Sequence, residues 1–285
     1  MRRRAVLYVN IAVLLFGLAG LFAKWIHLPA ICITFGRVLF SSIALAACMV
    51  IRKQSFRLAG KRDLLYLFLA GAVLALHWWT FLESIQLSSV AIGTITFSSF
   101  PLFVTFLEPA LQHREPEMRN VAAAVVILLG VVITIPEFSF ENRVFLGIVT
   151  GMISALAYAV LMIMNKRFAQ RYSGTQTAFY EQAAAALVLL PFMTGMRIRP
   201  SASDLSLLLF LGIVTTALAH TLFISSLQAL PAQLAGICSS METVYSILFA
   251  LILLGEVPSV REIAGAVIIT GAVLFVQAGA LQAKR

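Results

Sequence analysis

Residues 120–136 read NVAAAVVILLGVVITIP and contain no charged side chain. An apolar run close to the roughly 20 residues that cross the hydrocarbon core of a bilayer is typical of a transmembrane helix. Its centre, from Val125 to Val132, shows no alternation of polar and apolar residues, unlike a strand of a membrane β-barrel. The segment therefore predicts a membrane-spanning helix.

Similar runs follow one another along nearly the whole chain. Of the 285 residues, 61% are hydrophobic and only 12% are charged, and the mean hydropathy is +0.97. A soluble domain carries about 25% charged residues. Because short loops join the runs, we predict an all-α membrane protein with ten transmembrane helices. The predicted spans are residues 5–23, 30–51, 63–82, 88–111, 120–136, 144–165, 175–196, 205–227, 231–254 and 262–281.

The distribution of Lys and Arg predicts the orientation of these spans. Fifteen of the 21 Lys and Arg residues fall in loops on the side of the N-terminus, and five fall in loops on the other side. Positively charged loops are retained in the cytoplasm, so both termini are predicted to be cytoplasmic in a multi-pass inner (plasma) membrane protein. The formal charge of +9 then reflects topology and not a nucleic-acid-binding face, because the cations punctuate apolar segments.

The second half of the chain matches the first at an almost constant offset. Six pairs of identical residues align at 141 or 142 positions: Phe81 with Phe223, Ser84 with Ser226, Gln86 with Gln228, Ser98 with Ser239, Glu115 with Glu256 and Gly130 with Gly271. We predict two repeats of five helices, residues 1–137 and 143–282. Because five is odd, the second copy enters the membrane from the opposite side, as in the inverted repeats of secondary transporters. A duplicated membrane protein that transports nothing is the alternative.

Three segments carry a resemblance to a known family: residues 96–115 with Pro101 near their centre, the pair Met241–Glu242, and the run from Leu253 to Glu256. They resemble the EamA family of the drug/metabolite transporter superfamily, in two copies that cover almost the whole chain. The resemblance implies ten helices with cytoplasmic ends, a central cavity lined by spans 1, 3, 4, 6, 8 and 9, and alternating access. It also implies export or exchange of small metabolites, often amino acids. Thr243 stands where the family often has proline, so a helix break there is not implied.

Glu242, near the middle of the ninth span, is the leading candidate for a functional residue. An ionisable side chain at mid-membrane costs about 2.5 to 3.5 kcal/mol, so it faces a cavity or a partner. We expect Glu242, with Ser239 nearby on the same helix, to contact a substrate amine or to carry a proton. The alternative is a glutamate that neighbouring hydroxyl groups satisfy.

Further candidates for the cavity lining lie in four other spans. His77 and Trp78 in the third span could stack on a planar substrate or titrate near neutral pH, although a tryptophan near a span end is also a common interfacial anchor. His220 in the eighth span lies one alignment step from His77. Asn10 in the first span and Tyr158 in the sixth are candidates that could instead bond to a neighbouring helix.

Three residues are candidates for gating or structural roles. Arg37 in the second span aligns with Glu181 in the seventh at an offset of 144, and each could pair with a neighbour and hold a gate closed. Alternatively, Arg37 could extend along its apolar stem toward the headgroups. Pro101 removes one backbone hydrogen bond and predicts a kink in the fourth span.

Motifs for other chemistries are absent from the sequence. It contains no Walker A, GxGxxG or HExxH motif, and its three cysteines have no CxxC or Cys/His spacing. We therefore expect no cofactor and no metal, with any energy coming from a gradient, including proton coupling.

The predicted function is a secondary transporter, not an enzyme, that exports or exchanges small polar metabolites, most readily amino acids or related compounds. Its expected partners are that solute and membrane lipids, without nucleic acid. The alternative is a membrane enzyme acting on a lipid or isoprenoid phosphate, for which the loop around residues 113–119 is the only dense polar cluster.

Overall fold

A computed structural model describes residues 2–111, 113, 115–137, 139–196, 198–230 and 232–282. The side chains of Arg2, Ser240, residues 232–237 and residues 276–282 lie outside this description. Four cations that entered the orientation count also lie outside the described residues: Arg114, Arg197, Lys284 and Arg285.

All regular secondary structure in the described residues is helical. The elements are α1 (Arg2–Ala19), α2 (Phe22–Trp25), α3 (Ala30–Ile51), α4 (Lys61–Leu87), α5 (Val90–Phe97), α6 (Phe100–Leu111), α7 (Met118–Thr134), α8 (Arg143–Phe168), α9 (Gly174–Met193), α10 (Ala202–Gly212), a π-helical segment (Ile213–Leu218), α11 (Ala219–Leu227), α12 (Ala232–Leu254) and α13 (Val260–Gln282). The prediction of an all-α protein is thereby confirmed for this part of the chain.

Six helical stretches of the described chain are long and apolar enough to cross a membrane: Arg3–Trp25, Ala30–Ile51, Lys61–Leu87, Val90–Leu111, Arg143–Phe168 and Ala202–Leu227. Shorter apolar stretches follow at Met118–Thr134 and Met241–Leu254. Each of the ten predicted spans overlaps between one and three successive helical elements. The number of crossings and their orientation stay predictions.

The helices pack into one bundle with an apolar outer surface. α4 packs against α8 and α9, α3 packs against α9, and α1 packs against α11 and α12. Gly71 permits the close approach of α4 to α9, because a Cβ atom there would lie 2.4 Å from the carbonyl oxygen of Glu181. Outward-facing side chains such as Phe68 on α4 and Leu129 on α7 are large, apolar and exposed, as contact with lipid requires.

The fourth predicted span is interrupted where Pro101 predicted a kink. α5 ends at Phe97 and α6 begins at Phe100. Proline has no backbone N–H to donate to the carbonyl of Phe97, and the chain tightens instead, with Ser99 N–H bonded to Thr96 O at 3.1 Å. Pro101 then sits in the first turn of α6, where a missing donor is tolerated.

The ninth predicted span shows no such interruption, since α12 continues from Ala232 to Leu254. Thr243, the residue that departs from the family pattern, preserves the N–H donor that proline lacks. Its hydroxyl also forms a hydrogen bond with Ser98, beside the break between α5 and α6. The continuous helix α12 therefore contacts the fourth span at the position where that span is interrupted.

The eighth span contains a local irregularity of another kind. Between α10 and α11 the backbone forms a π-helical turn, and the hydroxyl of Thr216 donates to Leu211 O at 2.7 Å. Such single-turn insertions are often found at functional sites. Here the turn presents the Thr216 hydroxyl toward α3.

Candidate functional site

A cavity of about 510 Å³ occupies the centre of the bundle. Small-molecule sites have volumes of about 300 to 1,000 Å³. Equivalent residues of the two predicted repeats both line it, each pair separated by 142 positions: Phe16 and Tyr158, Ala19 and Leu161, and Phe81 and Phe223. α1, α4, α5, α6, α8, α11 and α12 all contribute to the lining, with additional residues from α3 and α7.

Arg37 enters this cavity from α3 and is only 2% exposed. Its Nε donates to Thr216 Oγ1 at 3.1 Å, and its guanidinium carbon lies 3.9 Å from the ring centroid of Trp78. Among the ion pairs of the described residues, none involves Arg37. Of the two orientations that the sequence left open, the structure has the inward one, and the side chain does not extend toward the headgroups.

Glu242 faces the same cavity from α12 and is partly buried. In the described part of the chain it forms no ion pair within 4 Å. Away from its open end, the site therefore holds one basic side chain, Arg37, and one acidic side chain, Glu242, in a largely apolar enclosure.

An aromatic wall covers one side of the cavity and is formed by His77, Phe97, Phe100 and Tyr158. The ring centroid of Tyr158 lies 4.9 Å from that of His77 and 5.0 Å from those of Phe97 and Phe100. The Ser154 hydroxyl donates to the carbonyl oxygen of His77, so His77 Nδ1, 2.8 Å from the same hydroxyl oxygen, is the donor in that contact. A planar or apolar group can stack on this wall.

Trp78 and His220 meet beside the aromatic wall. Both line the cavity, and their ring centroids lie 5.7 Å apart in an edge-on arrangement. Trp78 is buried, which fits a place in the cavity wall and not at the lipid interface. His220 Nε2 lies 2.9 Å from Glu181 Oε2, behind the lining.

Glu181 is fully buried on α9, and its second carboxylate oxygen has no partner in the described chain. The other carboxylate oxygen, Oε2, has the imidazole of His220 as its hydrogen-bond partner. Arg37 and Glu181 thus each have a neighbour, Thr216 and His220, but the two do not pair with each other.

Two further predicted lining residues lie elsewhere. Asn10 is exposed, and its side-chain amide donates to Val6 O at 2.8 Å, so a backbone group of its own helix satisfies it away from the cavity. Ser239 is buried on α12 but is not part of the lining. Pro101 does line the cavity, beside the break between α5 and α6.

At one end of the bundle, called the closed end, α2 contacts the junction between α4 and α5 and the loop after α12. Lys24 Nζ donates to Ser88 O at 2.9 Å and lies 3.9 Å from Glu256 Oε1. Glu256 Oε2 in turn accepts from the N–H of Val90 at 3.0 Å, where a carboxylate is favoured at the start of a helix. None of these four residues lines the cavity.

The cavity reaches the surface at the opposite end, called the open end, where α6 and α8 terminate. Its lining there includes the exposed side chains of Glu117, Lys166 and Gln170. Lys166 Nζ lies 2.7 Å from Glu108 Oε1. Exposed pairs of this kind contribute about 0 to 1 kcal/mol and exchange readily.

Two equivalent glutamines anchor equivalent loops at the two ends. Gln86 donates to Leu28 O at 2.8 Å and to Ala23 O at 3.3 Å, in the segment after α1 at the closed end. Gln228, 142 positions later, donates to Tyr172 O at 3.1 Å, in the loop after α8 at the open end. Equivalent contacts at opposite ends are the geometry that an inverted repeat predicts.

The loop that Gln228 holds is also bound to the start of α4. The Tyr172 hydroxyl donates to Asp63, and Arg171 Nη1 lies 3.1 Å from both carboxylate oxygens of Asp63. Burial, and then the hydrogen bond with Asp63, raises the pKa of Tyr172 above its ordinary value. The phenol therefore remains a donor over the whole physiological pH range.

Sequence reasoning missed several residues of the site. Phe97 and Phe100 are two of many phenylalanines in apolar runs, and nothing in their spacing distinguishes them. Thr216 contacts Arg37 only because the π-helical turn redirects it. The sequence could have identified Lys166 and Glu108 at the open end, since both are charged residues at the ends of spans that line a predicted cavity.

These features define a multi-pass helical membrane protein with a largely apolar central cavity that contains ionisable side chains, and comparisons with known proteins agree. The chain matches the EamA-like transporter family over residues 3–135 and 145–277. The protein belongs to this family and is a membrane transporter.

Individual relatives cover most of the chain at low identity. It is 26% identical to a protein named S-adenosylmethionine uptake transporter from Rickettsia bellii, over 86% of this chain and 82% of that protein. It is 23% identical to the uncharacterized transporter YxxF of Bacillus subtilis, over 93% of this chain and 86% of that one. A solved crystal structure matches with a TM-score of 0.69 and 19% identity over 100% of both chains, which supports the fold alone.

Proposed function

We propose that the protein is a secondary transporter of the inner (plasma) membrane that exports or exchanges small polar metabolites, with amino acids and related compounds as substrates. The observation that carries the proposal is the central cavity, which holds Arg37, Glu242 and His77 and reaches the surface at one end. Ionisable side chains are expensive inside a membrane, and where they persist they typically mark a solute pathway.

The proposal includes ten crossings in two inverted repeats, residues 1–137 and 143–282, with both termini in the cytoplasm. In that orientation the open end faces the cytoplasm and the closed end faces outside. Alternating access requires the two ends to exchange these states, and inverted repeats achieve this when the halves exchange conformations.

The chemistry of the lining supports a substrate that carries an amine. Among the described residues of the cavity lining, Glu242 is the acidic side chain that lies away from the open end, where it can contact an ammonium group or carry a coupling proton. The aromatic wall accommodates a planar or apolar side chain. S-adenosylmethionine, for which the rickettsial relatives are named, combines an amino acid group with a planar base and belongs to this chemical class.

The alternative of a membrane enzyme has no observation in its favour. The family and the names of the relatives point to transporters. Of the polar residues of the 113–119 loop that the alternative would use, His113, Glu115 and Glu117 are exposed and Arg119 is partly buried.

Counterflow in proteoliposomes tests the proposal directly. Vesicles loaded with one unlabelled solute at a time should accumulate the same labelled solute, with amino acids, nucleosides and S-adenosylmethionine as the panel. We expect accumulation of at least one amino acid or amino acid derivative. A comparison of transport with and without a proton gradient then tests whether transport is coupled to protons. Absence of counterflow for every solute would contradict the proposal.

Substitution of Glu242 by Gln tests the role of the central carboxylate. We expect transport to be abolished or its pH dependence to be shifted, because the amide neither pairs with an ammonium group nor carries a proton. Glu83→Gln is the matched control, since Glu83 is a partly buried glutamate in a membrane-spanning helix that does not line the cavity. Unchanged transport by Glu242→Gln would remove Glu242 from the site.

A further inference from the structure

Arg37 is a buried arginine without an acidic partner. Of its five N–H donors, the one on Nε is used by Thr216. The two terminal nitrogens form no hydrogen bond with any described residue, and they are not among the buried polar atoms that are sealed away without a partner. Since Arg37 lines the cavity, these two nitrogens are the donors that remain for a ligand there.

The guanidinium group is held in a fixed orientation before any ligand arrives. The Trp78 ring supports one face at 3.9 Å, and Thr216 fixes the Nε edge. An arginine held at its face and its Nε edge presents its terminal nitrogens as a planar pair of donors, the geometry that matches a carboxylate through two parallel hydrogen bonds. Preorganisation of this kind reduces the entropy lost on binding.

We propose that Arg37 is the carboxylate subsite of the cavity, so that the transported solute is recognised as a zwitterion with its carboxylate on Arg37 and its ammonium group near Glu242. This inference rests on the proposed transport function and specifies the substrate class of the same cavity. Both side chains line the cavity, and neither belongs to an ion pair among the described residues. A zwitterion supplies both with a partner at once.

The charges of the lining favour a carboxylate over a phosphate. A phosphate dianion bound to Arg37 would be repelled by Glu242, and the next cation of the lining, Lys166, lies at the open end and is paired with Glu108. A solute with one carboxylate and one ammonium group adds no net charge to the cavity. Neutrality matters because an uncompensated charge in a low-dielectric site is costly.

Binding to the purified protein tests the subsite independently of transport. The probes are the proteinogenic amino acids, each compared with its carboxamide, which keeps the ammonium group but loses the negative charge. Intrinsic fluorescence is a suitable signal because Trp78 touches Arg37. We expect the wild type to bind at least one amino acid about 10- to 100-fold more tightly than its amide, as two charge-assisted hydrogen bonds require.

Substitution of Arg37 separates recognition from structure. Arg37→Gln should bring the affinity ratio of acid to amide close to one, and Arg37→Lys should retain part of it. A purely structural role would weaken acid and amide equally and leave the ratio unchanged. The matched control is Arg119→Gln, because Arg119 also stacks on an aromatic ring, Phe275, but lies outside the cavity lining.

The outcomes distinguish this inference from the proposed function. A wild type that binds amino acids in preference to their amides but shows no counterflow would contradict transport and leave the subsite in place. Equal binding of every acid and its amide, or an acid preference that survives in Arg37→Gln, would overturn the carboxylate subsite. For Trp78→Phe, which keeps a ring under the guanidinium group, we expect most of the acid preference to remain, measured by competition with a labelled amino acid.

Discussion

The two ends of the bundle carry residues that the repeat alignment makes equivalent, yet one end is closed and the other is open. At the closed end Lys24 pairs with Glu256. The equivalent residues, Lys166 and Glu115, lie at the open end, separated from them by 142 and 141 positions. There Lys166 pairs instead with Glu108, and Glu115 is exposed.

The two ends differ in which glutamate the lysine pairs with, and not in the types of residue present. Each end has a lysine, a glutamate and a glutamine in matching places, and only the closed end uses the lysine and the glutamate together. Polar contacts near the surface contribute about 1 kcal/mol each. An equilibrium between two such arrangements is therefore close to balanced, which suits a transporter that must open at each end in turn.

Locking the closed end should have the largest effect. In a variant with Cys32, Cys48 and Cys238 replaced by serine, Lys24→Cys together with Glu256→Cys can be bridged by a short bifunctional thiol crosslinker. We expect counterflow to stop completely after crosslinking and to recover on reduction, because the closed end can no longer open. Transport that continues at the full rate in the crosslinked protein would show that this end does not move.

Removing either of the two equivalent glutamine side chains should shift the equilibrium between opening at the closed end and opening at the open end. The two single variants should shift it in opposite directions. Gln86→Ala loses two hydrogen bonds at the closed end and should favour its opening by about tenfold, at about 1 kcal/mol or less per bond. Gln228→Ala loses one bond at the open end and should act in the opposite sense by about fivefold. The measurement is the labelling rate of a single cysteine at each end by a membrane-impermeant reagent.

The pair of glutamine variants also provides its own control. If both substitutions changed accessibility in the same direction, general loosening of the bundle would explain them. The equivalence of the two ends would then be unsupported.

Exchanging charges at the open end should have the smallest effect. Symmetry predicts that Lys166 leaves Glu108 and pairs with Glu115 when the open end closes. Lys166→Glu should slow counterflow by no more than about fivefold, since exposed pairs contribute about 0 to 1 kcal/mol, and Glu115→Lys in the same chain should restore it. Restoration by Glu108→Lys, and not by Glu115→Lys, would contradict the predicted exchange of partners.

Much of the fold follows from features that are local in sequence. Apolar runs of sufficient length predicted the helices, and Pro101 predicted the interruption of the fourth span because a missing N–H acts within one turn. Thr243 likewise removed the reason to expect a break in α12. Glu242 was located from its depth in an apolar run, since a charge there needs a cavity or a partner.

The arrangement of the site depends on contacts between distant segments, which local patterns do not specify. Arg37 could have extended to the headgroups, and what turns it inward is Thr216, 179 positions away on a π-helical turn. Glu181 and His220 meet across 39 positions on α9 and α11. Asn10 shows the converse case, because a polar residue in a span does not reveal which face of the helix it occupies.

Accessibility of one cysteine in the cavity tests the central claim most directly. In the variant without native cysteines, Ala19→Cys on the cavity wall can be probed with a membrane-impermeant thiol reagent in right-side-out and inside-out vesicles, with lipid-facing Leu129→Cys as the control. We predict labelling from the cytoplasmic side in the resting protein and a shift toward the outside when a transported solute is added. Labelling from neither side, or equal labelling from both sides that no solute alters, would contradict a hydrated cavity that opens at one end at a time.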